Sequence, residues 1–182
     1  LKYGLGGTMS FGKTTLLAQW YAANDMDNRD NSGVNFFNVG ALYNLSARDP
    51  EIALAIAKAI HEIDPGLVLV GLSGSQSIHA AESIGLRVAH EVFAERGYAA
   101  DGQLLPRSAR GAVIESLDAS IAQALDLALH GRVLAADGTS LALRADTLCL
   151  HGDRSDAATF ARALREALEA DGVDILPFGV DA

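Results

Sequence analysis

Two rhythms of apolar residues alternate along the 182-residue chain. Short apolar runs at 34–37, 67–72, 86–93 and 147–151 have strand length, and 67–72 and 147–151 are apolar nearly throughout. Such runs read as strands covered on both faces. Between them, apolar residues recur at helical spacing. Asp49-Pro50 opens one helix, with Asp49 as cap and Pro50 at the first helical position. Its inward stripe reads Ile52, Ile56, Ala59, Ile60 and Ile63, and Asp64-Pro65-Gly66 ends it. A second helix spans 73–83 and stops at Gly85. A third spans 116–130 with Ile121, Leu125 and Leu129 inward. A last helix is capped by Ser155, turns Phe160, Leu164 and Leu168 inward and ends at Gly172. Arg162–Glu166 and Arg165–Glu169 are its surface pairs. Residues 132–143 read as a hairpin turned at Asp137-Gly138, and 173–176 as a closing strand.

Strands alternating with helices predict an α/β fold, a mostly parallel sheet flanked by helices. In such sheets and in β/α barrels, chemistry sits at the C-terminal ends of the strands. The run 147–153 fits that place: Thr-Leu-Cys-Leu leads straight into His151, Gly152 and Asp153. Its structural alternative is a core strand whose polar end only caps the next helix. His61 and His79 read as surface residues.

Composition narrows the partners. A formal charge of -9 opposes nucleic-acid binding, which needs an excess of Lys and Arg. The single cysteine, Cys149, permits no internal disulfide and reads as a small core residue. No stretch has the length of a membrane span and none has a signal-peptide layout. The expected location is the cytoplasm.

The sharpest short motif is Gly7-Thr-Met-Ser-Phe-Gly12-Lys13-Thr14, which satisfies the phosphate-loop pattern. There, Gly7 and Gly12 let backbone N–H groups surround phosphates, Lys13 reaches the outer phosphates, and the Thr14 hydroxyl binds Mg²⁺. The context requires a helix over 15–23. Residues 12–20 are similar to the phosphate loop of large LuxR-type ATP-binding regulators. The alternative is a Gly-rich loop opening an amphipathic helix. Residues 24–33 form a polar loop or linker.

Longer stretches carry a more specific likeness. They are Gly-Ala-Leu-Tyr-Asn at 40–44, Asp-Pro-Glu at 49–51, Leu-Val-Leu-Val-Gly-Leu-Ser-Gly-Ser at 67–75 and Gly-Leu-Arg-Val-Ala-His-Glu-Val-Phe-Ala-Glu-Arg-Gly-Tyr at 85–98. Asp-Gly-Gln-Leu-Leu-Pro-Arg-Ser at 101–108, Gly-Ala-Val-Ile at 111–114 and Asp-Thr-Leu-Cys-Leu-His-Gly-Asp at 146–153 complete the set. Over about 40–171 the chain resembles the LamB/YcsF family, the A subunit of bacterial 5-oxoprolinase. The resemblance implies a distorted β/α barrel related to polysaccharide deacetylases, here partial or truncated. It implies ATP-dependent opening of the 5-oxoproline lactam to L-glutamate, carried out with the 5-oxoprolinase subunits B and C. ATP is then a co-substrate; the sequence identifies no metal, and Mg²⁺ accompanying ATP is only a candidate. On that basis Arg96 and Arg107 are candidates for anion contacts. Glu91, His151 and Asp153 are candidates for proton transfer or metal ligation, and Tyr43, Asn44 and Tyr98 for orienting substrate.

The chain also departs from the family pattern. Phe37-Asn38-Val39 stands where the family has Lys-Pro-His. The family's Asp-Leu-Asn-x-Asp-x-Gly-Glu opening is absent from 1–38. Residues 1–33 read as a foreign Gly-rich loop, helix and linker, and 34–182 as the LamB/YcsF-like domain. A truncation, a fusion or a frame error would each produce this pattern. A shortened barrel leaves a sheet edge to be covered by closure, by a second copy or by a partner's strands. The expected activity of the isolated chain is weak or nil. Two other functions compete: a nucleotide-binding protein using Gly7 to Thr14, and a non-catalytic remnant that only binds partner subunits.

Overall fold

The structure is a computed structural model. It describes residues 47–151 and 156–176 with their side chains, and 2–11, 14–23 and 34–41 as backbone strands. Strands β1 (Lys2–Phe11), β2 (Thr14–Ala23) and β3 (Val34–Ala41) form an antiparallel sheet in that order. The helix expected over 15–23 is therefore a strand. Thr14, Thr15, Trp20 and Tyr21 are β-branched or aromatic. Such residues lose side-chain freedom in a helix and suit a pleated surface.

The second sheet carries the core. β4 (Val68–Leu72), β5 (Arg87–Phe93) and β8 (Thr147–Cys149) pair in parallel, with β5 in the centre. Helices α1 (Pro50–Ile63), α2 (Gln76–Ser83), α3 (Leu117–His130) and α4 (Ala157–Ala170) accompany it. β6 (Arg132–Leu134) and β7 (Ser140–Ala142) form the expected hairpin, whose turn holds Gly138 at φ 88. The parallel sheet flanked by helices is the architecture that the alternation predicts. Asp146 fixes the register of β8 on β5: its carboxylate accepts from His90 N at 2.9 Å, and its own N–H donates to His90 O at 2.9 Å.

Local signals hold at the helix starts. The Asp49 carboxylate accepts from Glu51 N at 2.9 Å and Ile52 N at 3.1 Å, with Pro50 at the first position. Ser116 Oγ accepts from Ala119 N at the start of α3, and Gly131 closes that helix in the left-handed conformation. The inward faces are less faithful. In α1 the buried residues are Ala53 and Ala57, with Ile60 beside them, while Ile63 is 68% exposed. Small alanines let α1 approach Ile78 and Ala81 of α2, and that closeness rotates the larger isoleucines toward the rim. In α3, Ser120, Ala124 and Leu127 point inward and Leu129 is exposed. In α4, Phe160, Leu164 and Leu168 are buried as the spacing predicts. Its N-cap is Asp156, and Ser155 lies outside the described residues. The Arg165–Glu169 pair forms at 2.7 Å.

Two strand expectations change. β8 is an edge strand, and all three of its residues are only half-buried. No strand forms over 173–176; instead Val173 and Ile175 pack on the cluster of Phe160, Leu164 and Leu168. A second cluster, with Leu72, Val92, Phe93, Tyr98 and Leu127, supports the C-terminal end of β5.

Candidate functional site

The site grows from the tip of β5. Beyond Phe93 the chain turns at Ala94–Glu95 and is then bridged to Val113 at Arg96 and to Leu104 at Tyr98. Leaving the sheet strands its carbonyl groups, and a buried acceptor without a donor is costly. Gln123 of α3 meets that need: its amide donates to Phe93 O at 2.8 Å, Ala94 O at 3.2 Å and Arg96 O at 2.9 Å. Gly97 makes the crossing feasible. A Cβ there would lie 2.1 Å from Gly111 O, inside any allowed contact.

Arg96 braces the returning loop. It is 8% exposed, and its Nε donates to Ala112 O at 2.9 Å and its Nη2 to Leu105 O at 2.7 Å. Burial, then the neighbouring Arg107, holds its pKa below the ordinary arginine value. A guanidinium in a protein nonetheless stays charged. Two of its five N–H donors are committed to the loop, which leaves others for a ligand.

Opposite this cation stands a carboxylate–imidazole pair. Glu95 Oε1 accepts from His151 N at 2.9 Å and lies 2.6 Å from His151 Nδ1. The Glu95 side chain is 5% exposed and that of His151 24%. The His151 ring stacks on Phe93, with centroids 6.0 Å apart. Glu95, Arg96, Arg107, Val113, Glu115, His151 and Asp156 line a cavity of about 290 Å³. It lies at the C-terminal end of the parallel sheet, beside the start of α4. A mixed-charge pocket with one imidazole can orient a small anion and move a proton.

The expected residues separate into three groups. Arg96, Arg107 and His151 come together around this cavity. Glu91 and Tyr98 do not line it. Glu91 sits deeper on β5, where its carboxylate acts on the Cys149 thiol and helps to raise its pKa. Tyr98 is fully buried in the core, and its hydroxyl accepts from Phe93 N at 2.9 Å. Burial also pushes its pKa well above the ordinary value of 10.0. It supports the strand end from behind rather than meeting solvent. Tyr43, Asn44 and Asp153 lie outside the described residues. Cys149 behaves as a core thiol: burial, reinforced by Glu91, pushes its pKa from 9.0 to about 12.

The phosphate-loop motif loses its context. Gly7 stands opposite Ala18 in the antiparallel ladder and Thr14 opens β2. No helix N-terminus follows Thr14 to receive a phosphate. Gly12 and Lys13 lie outside the described residues. Among the described residues, no three His, Cys, Asp or Glu side chains gather as a metal site. No helix there is long and apolar enough to cross a membrane.

Glu95 is the residue that sequence reasoning passes over. It lies in the same quoted stretch as Glu91, and a signal was present. Glu95 comes two residues after the apolar run 86–93, where the strand gives out. Of the two carboxylates, only Glu95 reaches past the strand end, where such folds place their chemistry.

A parallel sheet flanked by helices, with an acid–imidazole–arginine cavity at the strand tips, is the frame of a partial α/β barrel. The chain belongs to the LamB/YcsF family, whose model matches residues 11–181. That match is wider than the 40–171 over which the motifs are recognisable. Among its relatives, the 5-oxoprolinase A subunit of Bordetella pertussis is 55% identical over 136 residues, 75% of this chain and 54% of the relative. The 5-oxoprolinase A subunit of Geobacillus kaustophilus is 51% identical over 136 residues, 75% of this chain and 53% of the relative. A solved structure, the lactam utilization protein from Thermus thermophilus, superposes with a TM-score of 0.69 at 47% identity. That likeness covers 76% of this chain and 55% of the other. The chain thus spans about half the length of the curated relatives it matches.

Proposed function

We propose that this chain is an A-subunit-like component of an ATP-dependent 5-oxoprolinase, acting with subunits B and C in the cytoplasm. The observation that carries the reading is the meeting of Arg96, Arg107 and His151, distant in sequence, around one cavity at the strand tips. The lactam of 5-oxoproline is a stable amide that carries a carboxylate. Arg107 and the uncommitted N–H groups of Arg96 bind the carboxylate, bidentate where the fork allows. ATP, when bound, would supply a phosphoryl group to the amide oxygen, leaving as ADP, and so turn a poor electrophile into a good one. His151 then assists the attack of water as general base. Asp153, Tyr43 and Asn44 stay candidates for proton transfer and orientation through the family resemblance.

The test is turnover of 5-oxoproline by the chain with its B and C subunits and ATP. His151→Ala is expected to lower kcat on the order of 10²-fold or more, the usual weight of a general base. Arg107→Ala is expected to raise KM instead. The chain alone is expected to turn over weakly or not at all. Full activity in His151→Ala contradicts the reading. A complex that assembles with this chain but never turns over supports the non-catalytic alternative.

A further inference from the structure

We propose that Glu95 and His151 form a proton-transfer dyad in which Glu95 keeps the imidazole proton on Nδ1, so that Nε2 acts as the base. The proposal rests on the lactam-opening reading of the cavity. It also makes Glu95, not Glu91, the site's positioning carboxylate.

Three observations converge on it. One carboxylate oxygen accepts both the backbone N–H of His151, at 2.9 Å, and its ring Nδ1, at 2.6 Å. Two attachments to one acceptor fix the position of the ring and also its rotation. The ring's flat side is held by Phe93, stacked at 29°. The Glu95 side chain is only 5% exposed, so water competes little for this bond. An ionised carboxylate can only accept, so Nδ1 must donate. A neutral imidazole has one N–H, and its other nitrogen then carries a lone pair.

In the reaction, Nε2 takes one proton from water as the O–H bond breaks and the water oxygen bonds to the lactam carbonyl carbon. The same proton passes from Nε2 to the lactam nitrogen as the C–N bond breaks. The activated oxygen keeps its phosphoryl group, so C–N cleavage gives an acyl phosphate and releases the remaining hydroxyl proton. A second water cleaves the acyl phosphate to carboxylate and inorganic phosphate, and Nε2 returns to its starting state. Between the two transfers the ring is an imidazolium, and the adjacent Glu95 charge stabilises it.

The experiment is a long-range ¹H–¹⁵N spectrum of the full chain with labelled histidine, recorded where the ring is neutral. The expected wild-type signal for His151 has a protonated Nδ1 and a bare Nε2. In Glu95→Gln the amide oxygen still faces the backbone N–H of His151, so the tautomer persists. The charge is gone, however, and kcat of the assembled complex drops on the order of 10²-fold with KM little changed. In Glu95→Ala the bias toward Nδ1–H disappears. A wild-type ring protonated on Nε2 overturns the proposal, and that result stands even if the alanine variant fails to fold. An unchanged tautomer in a folded Glu95→Ala does the same. The dyad and the substrate reading fail separately. The Nδ1–H tautomer without lactam turnover sinks the substrate, whereas turnover that needs His151 but not its Nδ1–H form sinks the dyad.

Discussion

At the scale of single residues, the site depends on groups that never touch a substrate. Gly97 is the clearest. Its missing side chain lets the strand tip pass the Gly111 carbonyl, and a Cβ at 2.1 Å cannot be absorbed by a flexible neighbour, because the obstacle is backbone. Gly97→Ala is expected to displace the 97–113 loop, lower the thermal midpoint by several degrees and weaken ligand binding. Differential scanning calorimetry checks the effect on the midpoint, and an unchanged value contradicts it. The family resemblance pointed to Arg96, Arg107 and His151, and their place at or after predicted strand ends supported it. Neither could separate Glu91 from Glu95. That choice depends on where the strand stops pairing, and β5 stops at Phe93. Tyr98 misled for a related reason. An aromatic hydroxyl at a strand end looks like a substrate contact, yet here the loop 99–113 folds over it and turns it into core.

At the scale of elements, periodicity located the helices well and their inward faces unevenly. The α4 stripe is large and apolar against a polar remainder, so only one face can be buried. In α1 and α3, alanine and serine sit on the packed side, because close helix approach favours small residues over large ones. A stripe drawn through the largest side chains then misses by part of a turn. The contrast is measurable. Leu164→Ala, in the α4 cluster at 1% exposure, is expected to destabilise by about 2–5 kcal/mol. Ile63→Ala, at 68% exposure, is expected to change stability by less than about 0.5 kcal/mol. Urea titration of both variants decides the point; similar losses contradict the observed faces. β2 was illegible for another reason. A motif that demands a helix after Thr14 competed with β-branched and aromatic residues that prefer a strand, and pairing with β1 and β3 resolved the competition.

At the scale of the whole molecule, buried acids that stay neutral tie stability to pH. Cys149 and Tyr98 have folded pKa values raised above their ordinary 9.0 and 10.0. Above about pH 9 the unfolded chain therefore releases protons that the folded chain still holds. Stability falls wherever the unfolded state binds fewer protons. A decline is expected from about pH 9 upward, continuing toward the Cys149 value of about 12. Cys149→Ala is expected to flatten its first part. Denaturation midpoints across about pH 7 to 11 measure this, and a flat wild-type profile contradicts it. The parallel sheet and its helices were readable as an alternation of patterns, and the family through its motifs. Of the antiparallel strands at the start, β3 was readable from the run 34–37, whereas β1 and β2 were not, since no clean period marked them.

The central claim is that the cavity around Arg96, Arg107 and His151 receives the lactam. Titrating 5-oxoproline into isotope-labelled chain, and mapping the shifts by nuclear magnetic resonance, tests it most directly. The predicted result is a set of saturable shifts at the His151 ring, the arginine side chains and the backbone of residues 94–97, weakened in Arg107→Ala. Shifts confined to the apolar groove lined by Val88, Leu127, Leu148 and Ile175, or none at all at millimolar ligand, would contradict it.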